Sequence, residues 1–286
     1  MTSPVEALQR DLEQVGYYAN SDLACTVWLS LSMHRPLFCE GQPGVGKTAL
    51  AQALATVGGA PLIRLQCYEG IQAHHALYDW DFPRQVLQIQ AGRDGDVWSS
   101  DFLLARPVLH ALQTSTPGRP AVLLIDEIDR ADAEFEAFTF EVLGESAVTV
   151  PEIGTIRASH PPVAVLTSNR TRDLHDALTR RCLYHWIDYP QPERVAEIVR
   201  RRVPGSAEPL ALAAAAAVTR LRSLDLVKPP GIAEVIDWVA ALTVLGIPRL
   251  DAPAVEESWG SVLKNREDLE LARSRGAGWL AGAGNG

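Results

Sequence analysis

Gly41-Gln42-Pro43-Gly44-Val45-Gly46-Lys47-Thr48 decides how the rest of the chain is read. It matches G-x-x-x-x-G-K-[ST], the Walker A phosphate loop, at every fixed position. The setting agrees. Pro36 to Glu40 is a short apolar run that predicts a strand leading in, and Thr48 to Val57 predicts a helix leading out. Glycines admit dihedrals that a Cβ forbids, so successive N–H groups can turn inward around a phosphate at a helix N-terminus. In that arrangement Lys47 reaches the β and γ phosphates and Thr48 holds Mg²⁺. The nucleotide cradle is expected from Gly41, Pro43, Gly44, Val45, Gly46, Lys47, Thr48 and Ala49.

A second stretch downstream supplies the carboxylates. Pro120 to Asp126 (PAVLLID) predicts a buried strand that runs into Glu127, the Walker B arrangement. Such a strand sets its two acids at its carboxyl end, beside the phosphates. Asp126 is then expected to support the Mg²⁺ shell, and Glu127 to orient and polarise the attacking water.

Other strands follow from short apolar runs at 61–67, 162–168 and 182–187, and Ala147 to Ala158 predicts a β-hairpin around Pro151 and Gly154. Asn169 lies just past the strand at 162–168, where an amide can position water, contact the γ phosphate or simply turn the chain. Arg180 and Arg181 precede the last strand. An arginine there is a solvated end, an ion-pair partner or, in a ring-shaped ATPase, a group facing the neighbouring subunit's γ phosphate.

The N-terminal part predicts helices at 5–15 and 23–33, the second capped by Asn20-Ser21-Asp22. Tyr68 to Ser100 is harder to read. Its alternating segment Arg84 to Gln90 suggests a helix interrupted by a small hairpin, and Pro107 marks a kink or a new helical start within 102–113. Ala133 to Leu143 predicts a helix whose Phe135, Phe138 and Phe140 pack into the core. Tyr189-Pro190-Gln191-Pro192 reads as a linker. Helices are expected beyond it at 193–202, 210–224, 232–245 and 255–273, with a frayed tail from 276 to 286.

Composition narrows the class. A chain of 286 residues, 47% hydrophobic and 21% charged, is ordinary for a globular protein. No apolar run reaches the ~18 residues of a membrane span, and the N-terminus lacks signal-peptide character, so a cytoplasmic location with no membrane partner is expected. The net charge of −9 argues against a large nucleic-acid footprint. Cys25, Cys39, Cys67 and Cys182 lack metal-ligand spacing and are expected to be reduced core residues; His74-His75 is the adjacent histidine pair, without further ligands.

The ordered set of phosphate loop, LLIDE, hairpin, LTSN, pre-strand arginine and helical segment resembles an AAA+ ATPase of the MoxR family over roughly residues 15–270. The wording LLIDEIDRAD, TVPEIGTIRA and LTSNRTRDLHDALTRRCLYHWIDYP is similar to the CoxD-like branch, associated with maturation of molybdenum-copper carbon monoxide dehydrogenase. The resemblance implies an α/β fold: a P-loop NTPase αβα sandwich with a parallel five-stranded core sheet over residues 1–188, then a small all-helical lid over 193–275. It implies a helix-2 insert near 84–96 and a pre-sensor-1 hairpin at 147–158. By the same resemblance Asn169 is sensor 1 and Arg181 the trans-acting arginine finger, with Arg180 the alternative. Relatives often carry a sensor-2 arginine at the third lid helix; here Lys228-Pro229-Pro230-Gly231 stands in its place, so sensor 2 is absent or supplied by Lys228. The implied activity is Mg²⁺-dependent ATP hydrolysis by a ring, expected to be hexameric, that remodels a client metalloenzyme with a von Willebrand factor A domain adaptor. The rival readings are a nucleic-acid motor and an ATP-dependent switch with low turnover.

Overall fold

The computed structural model describes residues 3–92 and 95–282. Two compact units are present. One runs from the N-terminus to Gly41 and from Lys47 to Ile187; the other comprises Gln42–Gly46 and the chain from Asp188 onward.

In chain order the strands are β1 (Leu37–Glu40), β2 (Leu62–Gln66), β3 (Tyr78–Trp80), β4 (Leu103–Ala105), β5 (Val122–Asp126), β6 (Ala147–Val150), β7 (Gly154–Arg157), β8 (Val163–Ser168) and β9 (Leu183–Trp186). Five of them form one parallel sheet in the order β2-β5-β8-β1-β9. β5 is buried along its whole length, as a parallel strand covered on both faces must be. Its alternate residues Leu123 and Ile125 share a core with Ile63, Leu65, Leu166 and the helix Pro107–Thr114. Val122 and Leu124 turn to the other face by the two-residue period, where the helix Lys47–Val57 packs on β5. The result is the αβα layering that the sequence implies.

Register aligns the carboxyl ends. Gln66 lies level with Asp126, Ile125 with Leu166, and Glu40 with both Ser168 and Trp186. β1 is followed in the chain by β2 at the far edge of the sheet, and such reversals of strand order open a crevice at the carboxyl ends.

Several expectations from the sequence are corrected. Arg84 to Gln90 belongs to a helix, Phe82–Gln90, and the antiparallel pair β3–β4 flanks that helix instead of interrupting it. Its capping is local: Asp81 accepts the Arg84 amide at 3.2 Å. The expected insert at 84–96 crosses residues 93 and 94, which lie outside the described residues. Pro107 is a new helical start, with β4 immediately before it. The hairpin forms as β6 and β7, with Val148 opposite Ile156. Cys39, Cys67 and Cys182 are buried, but Cys25 is exposed.

The second unit is built on helices Pro192–Arg202, Glu208–Arg222, Ile232–Val244, Ala252–Val262, Arg266–Arg275 and Ala277–Ala281 around one apolar core. Trp238 and Trp259 are fully buried there, and Trp238 Nε1 donates to Ser258 Oγ at 2.7 Å. The single helix expected at 255–273 is broken, because Asn265 caps a fresh start by accepting the Asp268 amide at 3.1 Å. Where a frayed tail is expected from 276, Ala277–Ala281 is helical and Leu280 is fully buried; residues 283–286 lie outside the described residues.

Candidate active site

The phosphate-loop turn is built on glycines with positive φ: Gly41 at 158°, Gly44 at 77° and Gly46 at 99°. The last two lie in the region that side chains avoid, which is why the pattern admits glycine there. The loop feeds directly into the helix Lys47–Val57, so its last amides belong to a helix N-terminus. Lys47 is buried, and its Nζ donates to the Gly41 carbonyl at 2.6 Å. Burial pushes the ammonium below its ordinary pKa, while Asp129 foremost, then Asp126, pull it back up.

Asp126, at the end of β5, collects donors from three segments of the chain. Thr48 Oγ1 lies 3.1 Å from Oδ1 and 3.2 Å from Oδ2; Thr167 Oγ1 donates to Oδ1 at 2.5 Å; Arg64 Nη2 reaches Oδ2 at 2.6 Å. Its carboxylate is nearly inaccessible, whereas Arg64 is half exposed. A threonine hydroxyl beside a carboxylate is an all-oxygen donor pair that suits a hard cation such as Mg²⁺, which takes its remaining ligands from phosphates and water. Among the described residues, no group of three or more His, Cys, Asp or Glu side chains could hold a metal by itself.

Glu127 follows in a left-handed conformation, with φ 56° and ψ 50°. This turns its side chain off the line of β5, and its own amide donates to Thr167 Oγ1 at 3.0 Å. Arg130 Nη1 pairs with Glu127 Oε2 at 3.1 Å. Asn169 stands directly after β8, half-buried, and its amide donates to Asp129 Oδ2 at 3.2 Å. Lys47, Thr48, Asp126, Glu127 and Asn169 therefore lie at the carboxyl ends of neighbouring strands or at the start of the helix between them.

Arg181 is placed elsewhere in the same unit. Its guanidinium lies 3.8 Å from the Phe140 ring centroid, a cation–π stack, and abuts Gly144. Arg180 makes an exposed pair with Asp176 at 3.6 Å. The backbone carbonyls of both arginines accept from Arg35 at 2.9 Å.

In the second unit, the loop tip Gln42–Gly46 meets its own neighbours. Ile232 donates its amide to the Gly44 carbonyl at 3.1 Å, and Arg222 bonds Gln42 Oε1 and, at 2.8 Å, the Pro230 carbonyl. Arg222 also covers the Tyr189 ring at 4.1 Å. Lys228 is exposed, with its amide donated to Asp268 Oδ2 at 2.9 Å. Arg222 is thus a basic side chain of this unit that touches the loop tip.

Sequence reasoning passes over Arg64, Thr167, Asp129 and Arg222. Two of them carried a signal. Thr167 sits inside LTSN and Asp129 inside IDEID, but a hydroxyl inside a strand and an acid inside a turn have commoner structural uses. Arg64 and Arg222 carried none, since an arginine in a strand or at a helix end is normally solvated.

Forty-six residues are 44% identical to midasin of Giardia intestinalis; they make up 16% of this chain, and the match spans 1% of midasin's length. A mutant of Thermotoga maritima RuvB superposes with a TM-score of 0.50 at 15% identity, over 88% of this chain and 69% of that one, which shows a shared fold. A second mutant of the same protein gives 0.49 at 16% identity, over 91% of this chain and 70% of that one. Residues 37–187, from the first residue of β1 to just past β9, match the family described as "ATPase family associated with various cellular activities (AAA)". With that match over more than half of its length, the chain belongs to the AAA family of ATPases, whose reaction is the hydrolysis of ATP.

Proposed function

We propose that this ATPase is a ring-forming remodelling machine of the MoxR type, and that it matures a client metalloenzyme. The observation that carries the ATPase chemistry is the meeting of Thr48 Oγ1 with the Asp126 carboxylate one residue before Glu127. Lys47 binds the β and γ phosphates, and the loop amides orient them. Thr48 and Asp126 hold Mg²⁺, which when bound neutralises charge on the transferred phosphoryl group. Glu127 leaves its pair with Arg130, orients water in line with the γ phosphorus and accepts its proton. Asn169 fixes the far side of that water, and Arg181 of a neighbouring subunit, released from Phe140, stabilises the transition-state charge.

AAA proteins commonly assemble, and a trans arginine gives this chain a reason to form a ring, which we take as hexameric. The von Willebrand factor A domain adaptor and the molybdenum-copper carbon monoxide dehydrogenase-like client rest on the resemblance of LLIDEIDRAD, TVPEIGTIRA and LTSNRTRDL. A nucleic-acid motor is disfavoured by the net charge of −9. A low-turnover switch is the second reading, favoured by the ion pair that occupies Glu127.

The test is ATP turnover per subunit over a range of protein concentrations. Turnover that rises steeply with concentration, and is abolished in Arg181→Ala with ATP binding intact, supports a shared site. Concentration-independent turnover in both proteins removes the ring.

A further inference from the structure

Asp129 belongs to the turn after Glu127, yet its partners lie 40 and 42 residues onward. Its side chain is almost wholly buried. Oδ2 alone accepts three hydrogen bonds: the Asn169 amide at 3.2 Å, the Thr171 amide at 2.9 Å and Thr171 Oγ1 at 2.7 Å. Oδ1 is also buried and has no hydrogen-bond partner. A buried carboxylate is costly unless it is compensated, and here the compensation comes from the donors of the Asn169–Thr171 loop.

The two loops that Asp129 joins share an unusual property. Glu127 has φ 56° and Arg170 has φ 60°, both in the left-handed region that costs a non-glycine residue energy. Each lies within two residues of an atom in the Asp129 bonds. Strained conformations persist where their surroundings over-determine them; here the Glu127 amide is held by Thr167 Oγ1, the Arg170 amide by Ser168 Oγ, and Asp129 ties the two loops to each other.

We propose that Asp129 is a positioning residue: by holding the Asn169–Thr171 backbone to the turn that carries Glu127, it sets the distance across which these two side chains act on the γ phosphate and its water. The inference rests on the roles given above to Glu127 and Asn169. It leaves the binding of ATP to the phosphate loop and assigns Asp129 to turnover.

The experiment uses the full chain with two substitutions. Asp129→Ala removes the stitch, whereas Asp129→Asn keeps an acceptor of nearly the same size and removes the charge. Amide hydrogen exchange at Asn169 and Thr171 is followed without nucleotide, alongside kcat and the affinity for a fluorescent ATP analogue. Asp129→Ala is expected to speed exchange at both amides by about tenfold or more, a local opening, with the rest of the sheet unchanged. It should lower kcat by roughly 10- to 100-fold, as a misplacement of about 1 Å can, while affinity stays within about twofold. Asp129→Asn should recover the protection and most of the kcat. Unchanged exchange in Asp129→Ala overturns the proposal, as does loss of affinity in proportion to kcat, or failure of the asparagine to recover either readout. If the wild-type chain itself shows no turnover, the roles of Glu127 and Asn169 fall, and the exchange measurement still decides whether Asp129 holds the loop.

Discussion

Arg64 Nη2 lies 2.6 Å from Asp126 Oδ2, across the parallel pair β2–β5, on the same carboxylate that meets Thr48 Oγ1. A guanidinium and a divalent cation placed there draw on one negative charge. Replacing Arg64 by glutamine should therefore lower the Mg²⁺ concentration that half-saturates nucleotide binding. The pair is half exposed on the arginine side, so the change should be roughly two- to fivefold. A Mg²⁺ titration of ATP-analogue fluorescence checks it; a higher Mg²⁺ requirement would mean that Arg64 assists the metal.

Glu127→Gln keeps the shape of the side chain and removes its basicity. Turnover should fall about 100-fold or more, the range for loss of a positioned general base. Nucleotide affinity should hold within about twofold, because no contact with the phosphate loop is removed. Single-turnover phosphate release and equilibrium binding separate the two effects.

Gly44→Ala introduces a Cβ at φ 77°, only 2.8 Å from the Gly231 Cα. Both partners are backbone, so neither can swing away. The substitution should cost on the order of 1–3 kcal/mol and lower the melting temperature by several degrees, with nucleotide binding lost as the loop distorts. Calorimetry with and without ATP is the measurement.

The thiols should divide sharply. Burial pushes Cys39, Cys67 and Cys182 each up to about 12, so near pH 8 they are protonated as well as hidden, while Cys25 is exposed. A maleimide should label the native chain once, at Cys25, and reach the other three on unfolding. Mass spectrometry of digested, labelled protein reads the positions.

Leu280→Ala should destabilise the second unit by about 2–5 kcal/mol, the range for truncating a fully buried leucine. Denaturant unfolding of the full chain followed by tryptophan fluorescence would report it through Trp238 and Trp259 in the same core. No shift in the midpoint would restore the frayed tail that the glycine-rich sequence suggests.

The contrast between Leu280 and the phosphate loop marks what could be read in advance. Gly44, Lys47 and Thr48 announce themselves because their backbone and charge requirements are local and few residues meet them. β5 was legible for the same reason, as an apolar run ending abruptly in two acids. Leu280 was not, because its burial depends on helices that fold over it, and glycines on either side look like loop composition whatever they pack against. Arg84 to Gln90 misled through its alternation: the exposed Val86, Leu87 and Ile89 mimic a strand period on a helix. The two-residue rhythm says nothing about which hydrogen bonds are available, and there the Asp81 cap prevails. Arg64 was illegible because its meaning lies in a partner on a strand adjacent in the sheet and distant in the chain, and the signal at Asp129 was faint because its partners lie in the loop after β8.

The left-handed turn at Glu127 bears on how the site can change over generations. Asparagine and glycine tolerate that conformation better than glutamate does, so either replacement would relax the turn while removing the carboxylate. Folding does not guard this position. A chain that lost turnover there would keep its sheet, its phosphate loop and its ability to grip ATP. Purifying selection on hydrolysis alone is left to hold the glutamate, and copies freed from that selection would drift first into well-folded nucleotide binders.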